Sequence, residues 1–270
     1  MTALHALRAF EGIARRELLR FVQQRGRFLS ALVRPLLWLL VFAVGFRSIM
    51  DVPIQPPYET YITYEVYVLP GLVGMIQLFN GMQSSLSMVY DREMGSMRVL
   101  LTTPLPRWYL LVSRLLASVV VSIAQVYAFL LVAWIFGARL PWYGYLAAVP
   151  ALLVTGLMLG ATGMLLSSAI KQLENFAGVM NFVIFPAFFL SSALYPLSHM
   201  RDSSVPLYWL CQINPFTHAV ELLRFAFYGQ ISWQALGIVL CALAVFLGAA
   251  VLGYRPRGGG SPAGRPAAPE

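Results

Sequence analysis

"YDREMGSMRVLLTTPLPR", residues 90–107, is a short charged stretch that lies between two long apolar segments. It holds three Arg, one Asp and one Glu, although only 11% of the 270 residues are charged. Hydrophobic residues make up 59% of the chain and its mean hydropathy is +0.71, whereas about a quarter of the residues in a soluble domain are charged. We therefore expect an all-α integral membrane protein, in which this stretch joins two membrane-spanning helices.

Six membrane-spanning helices are predicted. A helix needs about 20 apolar residues to cross about 30 Å of hydrocarbon, and six segments of the chain have that length. Together they form a transmembrane domain over residues 28–254. The predicted spans are 28–46, 67–90, 110–136, 145–170, 176–194 and 233–252.

The basic residues predict the orientation of these spans, because Lys and Arg concentrate on the cytoplasmic side of a membrane. Only Arg47, Arg139, Arg201 and Arg224, of the 19 Lys and Arg residues, fall on the opposite side. The others lie before or just inside the first span, in and beside the second-to-third and fourth-to-fifth linkers, and after the sixth span. Both ends of the chain are therefore expected in the cytoplasm.

Three pieces of the chain are not expected to span. Residues 1–27 have a basic, amphipathic pattern that predicts a helix in the cytoplasmic membrane interface. Residues 196–229 are apolar but interrupted by proline, and we expect an outer re-entrant hairpin of two half-helices. Residues 255–270 are rich in Pro and Gly and are expected to be disordered.

The sequence argues against two of the energy sources that could drive transport. A built-in ATPase needs G-x-x-x-x-G-K-[ST], and the only lysine, Lys171, lies in "AIKQ". An ion-coupled carrier usually has a carboxylate near the middle of the membrane, and none of the 11 acidic residues lies in the middle of a predicted span. No nucleic-acid motif, catalytic set or metal-ligand spacing appears, so we expect no enzyme activity, cofactor or metal in this chain. Energy must then come from a partner.

The charged stretch itself suggests that partner. Asp91 is expected to cap a short helix that places Met94, Met97 and Leu101 on one face, and such a helix suits docking into a groove of a soluble protein. The alternative is an interfacial loop that only turns the chain. The predicted coupling residues are Asp91, Arg92, Glu93, Met94, Gly95, Met97, Arg98 and Leu101.

Polar residues on the second predicted span share one face: Gln77, Asn80, Ser84 and Ser87. Unpaired amides in hydrocarbon are costly, so this face should point at protein or water. It either lines a translocation path or forms hydrogen bonds between helices, and both interpretations stay open.

Small residues on the fourth predicted span, Gly156 and Gly160, favour close helix packing within one chain over a dimer seam. In the outer hairpin, Glu221 and Arg224 are spaced to form an ion pair that holds the hairpin, or alternatively to act at a gate near the exit. Arg34 falls inside the first predicted span. It either extends towards the cytoplasmic interface, or the span begins after it.

Three motifs resemble one family. Glu93, Gly95, Leu100, Leu101 and Pro104 match E-x-G-x-x-x-x-L-L-x-x-P, which is similar to the coupling segment of type-2 ABC exporter permeases. "NPFTHAVELLRFAFYG", which begins with Asn214 and Pro215, resembles the segment before that family's last span, and "RPLLWLLVF" resembles its first span. A longer stretch ending in "DREMGSM" is also similar to permeases associated with pyrroloquinoline-quinone-dependent alcohol oxidation.

The resemblance implies the permease subunit of an ATP-driven exporter in a bacterial inner membrane. Two such chains, or a related pair, would associate in the lipid bilayer with two separate ATP-binding subunits that hold ATP and Mg. The first and fifth spans would form the dimer contact, and the interfacial helix and coupling segment would transmit ATPase closure. The cargoes of such permeases include polysaccharides, lipid-linked glycans, teichoic acids, lipo-oligosaccharides, hydrophobic drugs and haem-related compounds. A secondary ion-coupled carrier and a non-transporting membrane scaffold are the alternatives.

Overall fold

The structure of the chain, a computed structural model, describes residues 10–12, 15, 19, 25–46, 56–94, 106–170 and 172–254. Residues 10–12, 15 and 19 are helical, whereas Leu7, Ala14, Leu18 and Phe21 of the predicted interfacial helix and all of the tail 255–270 lie outside the described residues. The helices of the remaining ranges are α1 (Arg25–Phe46), α2 (Tyr64–Glu93), α3 (Arg107–Ile135), α4 (Gly144–Ala147), α5 (Val149–Ala169), α6 (Leu173–Phe189), α7 (Leu197–Ser203), α8 (Val205–Ile213), α9 (Pro215–Phe227) and α10 (Trp233–Gly253).

The described part of the chain is all helical, and the six predicted spans fall on α1, α2, α3, α4–α5, α6 and α10. Within it, Trp108–Ile135, Gly144–Ala169 and Trp233–Gly253 are both long enough and apolar enough to cross a membrane, and Leu32–Val41 and Leu173–Phe189 are shorter apolar stretches. The 30-residue α2 is long enough but carries several amides and hydroxyls. The chain is therefore an all-α integral membrane protein, and the count of six spans stays a prediction.

Helix α2 lies at the centre of the bundle, where it packs against α1, α3, α5, α6 and α9. Its closest neighbour is α5: a Cβ atom added to Gly81 would lie 2.7 Å from the Cα atom of Gly160, and one added to Gly163 would lie 2.7 Å from the Ser85 hydroxyl. Close approach of backbones is what small residues permit between membrane helices. The prediction that Gly156 and Gly160 serve packing within one chain is confirmed.

Two helices keep most of their apolar surface exposed. On α10 only Ala235, Val239 and Ala250 are buried, and α6 exposes Phe182 and Phe185. Since lipid solvates apolar side chains as well as a protein core does, such surfaces suit a membrane protein.

The region predicted as two half-helices contains three short helices, α7, α8 and α9, so that prediction is wrong in detail. The extra break lies at Ser204, whose backbone is extended (φ −160°, ψ 110°) and precedes Pro206 near the start of α8. Pro215 is the first residue of α9, and its fixed φ suits the first turn of a helix. Helix α9 ends at a turn in which Gly229 has φ +68°, a conformation that favours glycine.

Helix α1 continues without interruption through Arg34 and Pro35. The helix therefore begins before Arg34, and where the membrane span begins stays a prediction. The guanidinium of Arg34 lies over the ring of Phe79 in α2, with its central carbon 4.1 Å from the ring centroid.

Candidate functional site

The charged stretch after the second predicted span begins as part of α2 rather than as a separate helix. Helix α2 runs to Glu93, so Asp91 lies in its last turn and does not cap a new helix. The earlier prediction of a cap at Asp91 is wrong. Asp91 continues a helix that has already formed. The Asp91 carboxylate therefore does not cap the backbone and instead binds a residue of another helix.

That partner is Arg114, which lies two turns into α3. One carboxylate oxygen of Asp91 lies 2.9 Å from the Nη2 atom of Arg114, and the two side chains are only 5% and 9% exposed. The same Nη2 atom donates a hydrogen bond of 2.8 Å to the hydroxyl of Ser87, one turn before Asp91 on α2. A buried ion pair of this kind fixes the end of α2 against the start of α3.

Arg92, the next residue of α2, contacts Tyr254 at the end of α10. Its guanidinium carbon lies 4.7 Å from the centroid of the Tyr254 ring, a cation–π contact. The Tyr254 hydroxyl lies 2.7 Å from the hydroxyl of Ser167 on α5. Burial raises the pKa of Tyr254, so its hydroxyl stays protonated and available to donate. We call this end of the bundle, where α2, α5 and α10 end and α3 begins, the inner end.

Of the other predicted coupling residues, Glu93 is exposed and Met94 is 64% exposed just after the helix. Both are therefore accessible to another protein. Gly95, Met97, Arg98 and Leu101 lie outside the described residues.

The polar face of α2 contacts neighbouring helices. The amide nitrogen of Gln77 donates to the carbonyl of Leu152 on α5 at 2.7 Å, and its amide oxygen accepts from the hydroxyl of Thr155 at 2.7 Å. Asn80 donates to the Ser122 hydroxyl on α3 at 3.2 Å. These hydrogen bonds join helices of one chain, as expected if the polar face serves contacts between helices.

Ser84 and Ser87 continue that face towards the inner end. The Ser87 hydroxyl donates to the carbonyl of Ser84 at 2.7 Å while it accepts from Arg114. Both serines are half-buried. A role of the four polar residues in lining a path stays a prediction.

At the opposite, outer end of α2, Arg224 of α9 lies buried without the predicted ion pair. Its Nη2 atom donates to the carbonyl of Ser192 at 2.8 Å, and its guanidinium carbon lies 4.2 Å from the centroid of the Tyr67 ring. Glu221 instead lies 3.8 Å from the Nδ1 atom of His218. The predicted Glu221–Arg224 pair is wrong as a contact, because the buried face of α9 turns Arg224 towards α2.

Tyrosines surround this buried cation. Tyr67 donates to the Ser192 carbonyl at 3.2 Å, and Tyr64 donates to the carbonyl of Leu194 at 2.8 Å. Before α2, the ring of Tyr58 packs edge-on against Tyr228 with centroids 5.1 Å apart. Burial raises the pKa of Tyr58, although Arg224 opposes the shift, and burial raises the pKa of Tyr228 to about 12.

Asn214 joins the hairpin to the end of α6. Its side-chain oxygen accepts from the amide of Phe216 and caps α9, and Pro215 occupies the first turn. Its side-chain nitrogen donates to the carbonyls of Ala187 and Leu190 at 2.7 and 2.6 Å. These carbonyls follow the last complete turn of α6 and would otherwise lack partners. Among the described residues, no group of His, Cys, Asp and Glu is arranged to hold a metal ion.

Comparison with known proteins identifies the family. The model of the family described as "ABC-2 type transporter" matches residues 8–228, well over half of the chain.

The chain belongs to the ABC-2 type transporter family.

Relatives agree with this assignment. The chain is 30% identical over 170 residues to "Probable multidrug ABC transporter permease YbhR" of Escherichia coli (strain K12), which covers 62% of this chain and 45% of the relative. The transport permease named ycf38 of Cyanophora paradoxa is 29% identical over 222 residues, or 79% of this chain and 72% of the relative. "Nodulation protein J" of Rhizobium leguminosarum bv. viciae is 28% identical over 89 residues, a third of each chain. The aligned part thus spans less than half of YbhR.

This ABC-2 type transporter chain is therefore a multi-pass membrane subunit of a transporter. Two of its structural groups were missed by the sequence analysis: Arg114 as the partner of Asp91, and the tyrosines around Arg224. The position of Arg114 inside a predicted span was the available signal for the first, because an ionisable residue in a span usually has a partner. No sequence signal pointed to the tyrosines, whose partners lie more than 100 residues away.

Proposed function

We propose that this chain is the permease subunit of an ATP-driven exporter in the bacterial inner membrane. It works as a homodimer, or beside a related permease, with two separate ATP-binding subunits that hold ATP and Mg. The observation that carries the proposal is the family match over residues 8–228. The lack of a Walker A motif in this sequence supports it, since the energy must then come from another subunit.

The inner end supplies the contact with those subunits. Helix α2 presents exposed Glu93 and Met94 where it ends, and the stretch that follows carries the family's E-x-G motif. Met adapts to irregular surfaces, which suits a partner whose shape changes as it hydrolyses ATP. We propose that residues 93–101 dock on the ATP-binding subunit and receive its movement.

The cargo to test first is an amphipathic, hydrophobic compound. The printed name of YbhR describes a multidrug transporter, and the described polar face of α2 carries amides and hydroxyls rather than charges. Neutral polar groups suit cargo that is amphipathic rather than strongly ionic.

The direct test is co-purification followed by transport. The tagged chain is purified from native membranes, the bound ATP-binding subunit is identified, and the complex is reconstituted in vesicles with the dye ethidium as probe. We expect dye movement that requires ATP and that stops when the Walker A lysine of the partner is replaced by alanine. Dye movement by the chain without an ATP-hydrolysing partner, or movement that collapses only with the proton gradient, would establish the ion-coupled carrier instead.

A second test addresses the docking segment. Reversal of two charges, Glu93→Lys with Arg98→Glu, should leave membrane insertion unchanged and uncouple ATP hydrolysis from dye movement. Met97→Pro should do the same if the segment is helical as predicted, because proline interrupts a helix. A matched control is Glu174→Gln, an exposed carboxylate at the start of α6, which should behave like the unmodified protein. Full transport by both docking variants would contradict the proposed role of the segment.

A further inference from the structure

The described contacts of the inner end connect the base of the coupling segment to several helices at once. Residues 94–106 connect α2 to α3 in the sequence. Just before them, in the last turn of α2, Asp91 binds Arg114 of α3 and Arg92 contacts Tyr254 after α10. Adjacent residues of one helical turn thus point into two different packing contacts.

We propose that Arg114 and Tyr254 are positioning residues for coupling. Arg114 holds the two ends of the coupling segment together through Asp91, and Tyr254 attaches its first end to α5 and α10 through Arg92. A displacement of the segment is then transmitted to α2, α3, α5 and α10 as one body. This inference rests on the proposed function, because it assumes that an ATP-binding subunit moves the segment.

The ion pair is suited to this role by its burial. Asp91 is 3% exposed and Arg114 is 7% exposed, so bulk water solvates neither charge well and both are stabilised by contacts within the protein. Desolvating two charges gives little net stability, and a buried pair is useful chiefly where it fixes one relative position of two helices. The added bond from Arg114 to Ser87 limits sliding of α3 along α2.

The link through Tyr254 is continuous from α2 to α5. The Ser167 hydroxyl donates to the carbonyl of Met164 at 2.9 Å, so in its contact with Tyr254 the tyrosine hydroxyl is the donor. Beside it, the backbone of Gly253 approaches α5 so closely that an added Cβ atom would lie 2.6 Å from the Ser168 hydroxyl. The end of α10 therefore has little freedom to move relative to α5.

Helices α1 and α6 pack against α2, and they also contact each other through aromatic rings. The ring of Trp38 on α1 packs edge-on against Phe188 and Phe189 at the end of α6, with centroids 6.3 and 5.7 Å apart. These ring contacts are apolar, and apolar side chains can slide past one another more easily than the two members of an ion pair can. We expect α1 and α6 to move relative to the group of α2, α3, α5 and α10 when ATP is bound and hydrolysed.

Distances between spin labels in the reconstituted complex test the inference. Labels are placed at exposed Trp108 and Leu252, which belong to the same group, and in a second sample at Trp108 and exposed Val33 of α1. The exposed Cys241 is first replaced by serine, and labelled chains are diluted with unlabelled chains. With vanadate-trapped MgATP, the Trp108–Leu252 distance should stay constant while the Trp108–Val33 distance shifts.

Removing the ion pair should loosen α3 from α2, α5 and α10, the other helices of the group. Allosteric coupling typically corresponds to about 5- to 150-fold changes in an equilibrium, so Asp91→Asn and Arg114→Gln should each raise the minor Trp108–Leu252 distance population at least about fivefold. The reversed pair, Asp91→Arg with Arg114→Asp, should restore the single distance. Tyr254→Phe keeps the ring and loses only the hydroxyl, and it should give a smaller increase of the same kind.

Three outcomes would overturn the inference. The first is that folded Asp91→Asn and Arg114→Gln proteins show an unchanged distribution of Trp108–Leu252 distances. The second is that the folded reversed pair keeps a broad distribution of these distances. If the single charge variants do not fold, an unchanged distribution in Tyr254→Phe is the third. Glu174→Gln serves as the control for loss of a carboxylate. Failure of the proposed function would be distinct, because the unmodified complex would then lack an ATP-binding subunit and show no shift of the Trp108–Val33 distance.

Discussion

The two ends of α2 hold buried arginines in different ways. At the inner end, Arg114 pairs with the carboxylate of Asp91 at 2.9 Å. At the outer end, Arg224 donates to the carbonyl of Ser192 and rests on the ring of Tyr67. One cation is balanced by a full negative charge, and the other is balanced by a carbonyl dipole and an aromatic face.

The difference follows from what each end must stabilise. The inner end joins α2 to α3 across the predicted coupling segment, and a charge pair fixes the relative position of the two helices. At the outer end, helix α6 stops. The carbonyls that follow it no longer bond within a helix, so they need other hydrogen-bond donors. Arg224, Tyr64 and Asn214 provide them. Unbonded backbone groups are especially costly at membrane depth, so here the arginine completes the backbone hydrogen bonds.

The largest expected effect on stability is at the inner end. Asp91→Asn keeps the shape of the side chain and leaves Arg114 buried beside a neutral amide, which should lower the free energy of unfolding by about 3–5 kcal/mol. Thermal unfolding of the detergent-solubilised protein measures this. An effect close to that of the exposed control Glu174→Gln would mean that Arg114 finds enough water or other acceptors without Asp91.

A smaller loss is expected at the outer end. Arg224→Met removes a charged donor but leaves no buried carboxylate without its ion pair, and Tyr67 still donates to Ser192. The free energy of unfolding should fall by about 1.5–3 kcal/mol, the range for a hydrogen bond to a charged group. If Arg224→Met destabilises as much as Asp91→Asn, the contrast between the two ends is wrong.

Single hydroxyls at the outer end should matter less. Tyr64→Phe leaves the Leu194 carbonyl without the Tyr64 donor and should destabilise by about 0.5–1.5 kcal/mol, the range for one neutral hydrogen bond. Tyr61→Phe, at a position that is 61% exposed, is the matched control and should have no measurable effect. Equal unfolding midpoints for the two variants would show that the hydroxyl of Tyr64 is dispensable.

The last effect is absent near neutral pH and appears only at alkaline pH. Burial raises the pKa of Tyr228 to about 12, above the usual value near 10, so the folded protein binds this proton more tightly than the unfolded chain. Its contribution to stability is complete below about pH 10 and is lost as the pH rises towards 12. Tyrosinate absorbance measured against pH should lose a late-titrating component in Tyr228→Phe, and an unchanged titration would contradict this assignment.

Much of the fold was predictable because membrane spans are local features of a sequence. A run of apolar residues dissolves in lipid without help from distant parts of the chain, so hydropathy placed the long helices within a few residues of their ends. The glycines of α5 were predictable for a similar reason, since small residues mark close helix packing. Hydropathy also predicted α2 as the span 67–90, although it gave no information on the amides and hydroxyls of this helix, which bond to α3 and α5.

The side-chain partners were harder to predict because local rules compete with distant contacts. The pattern around Asp91 was typical of a helix cap, yet Arg114, 23 residues later, binds the carboxylate within a continuing helix. The i, i+3 spacing of Glu221 and Arg224 predicted a pair, yet Ser192 and Tyr67 lie closer to the guanidinium. Spacing describes one helix, and it carries no information about what the tertiary fold places beside that helix.

The contact of Arg34 with Phe79 bears on how the protein enters its membrane. An arginine at the centre of an inserting helix costs about 2.5–3.5 kcal/mol on scales measured with the cellular insertion machinery, and Arg34, just inside the first predicted span, costs a part of that. Its aromatic contact belongs to α2, which the ribosome makes later. We therefore expect the emergence of α2 to help α1 to integrate stably.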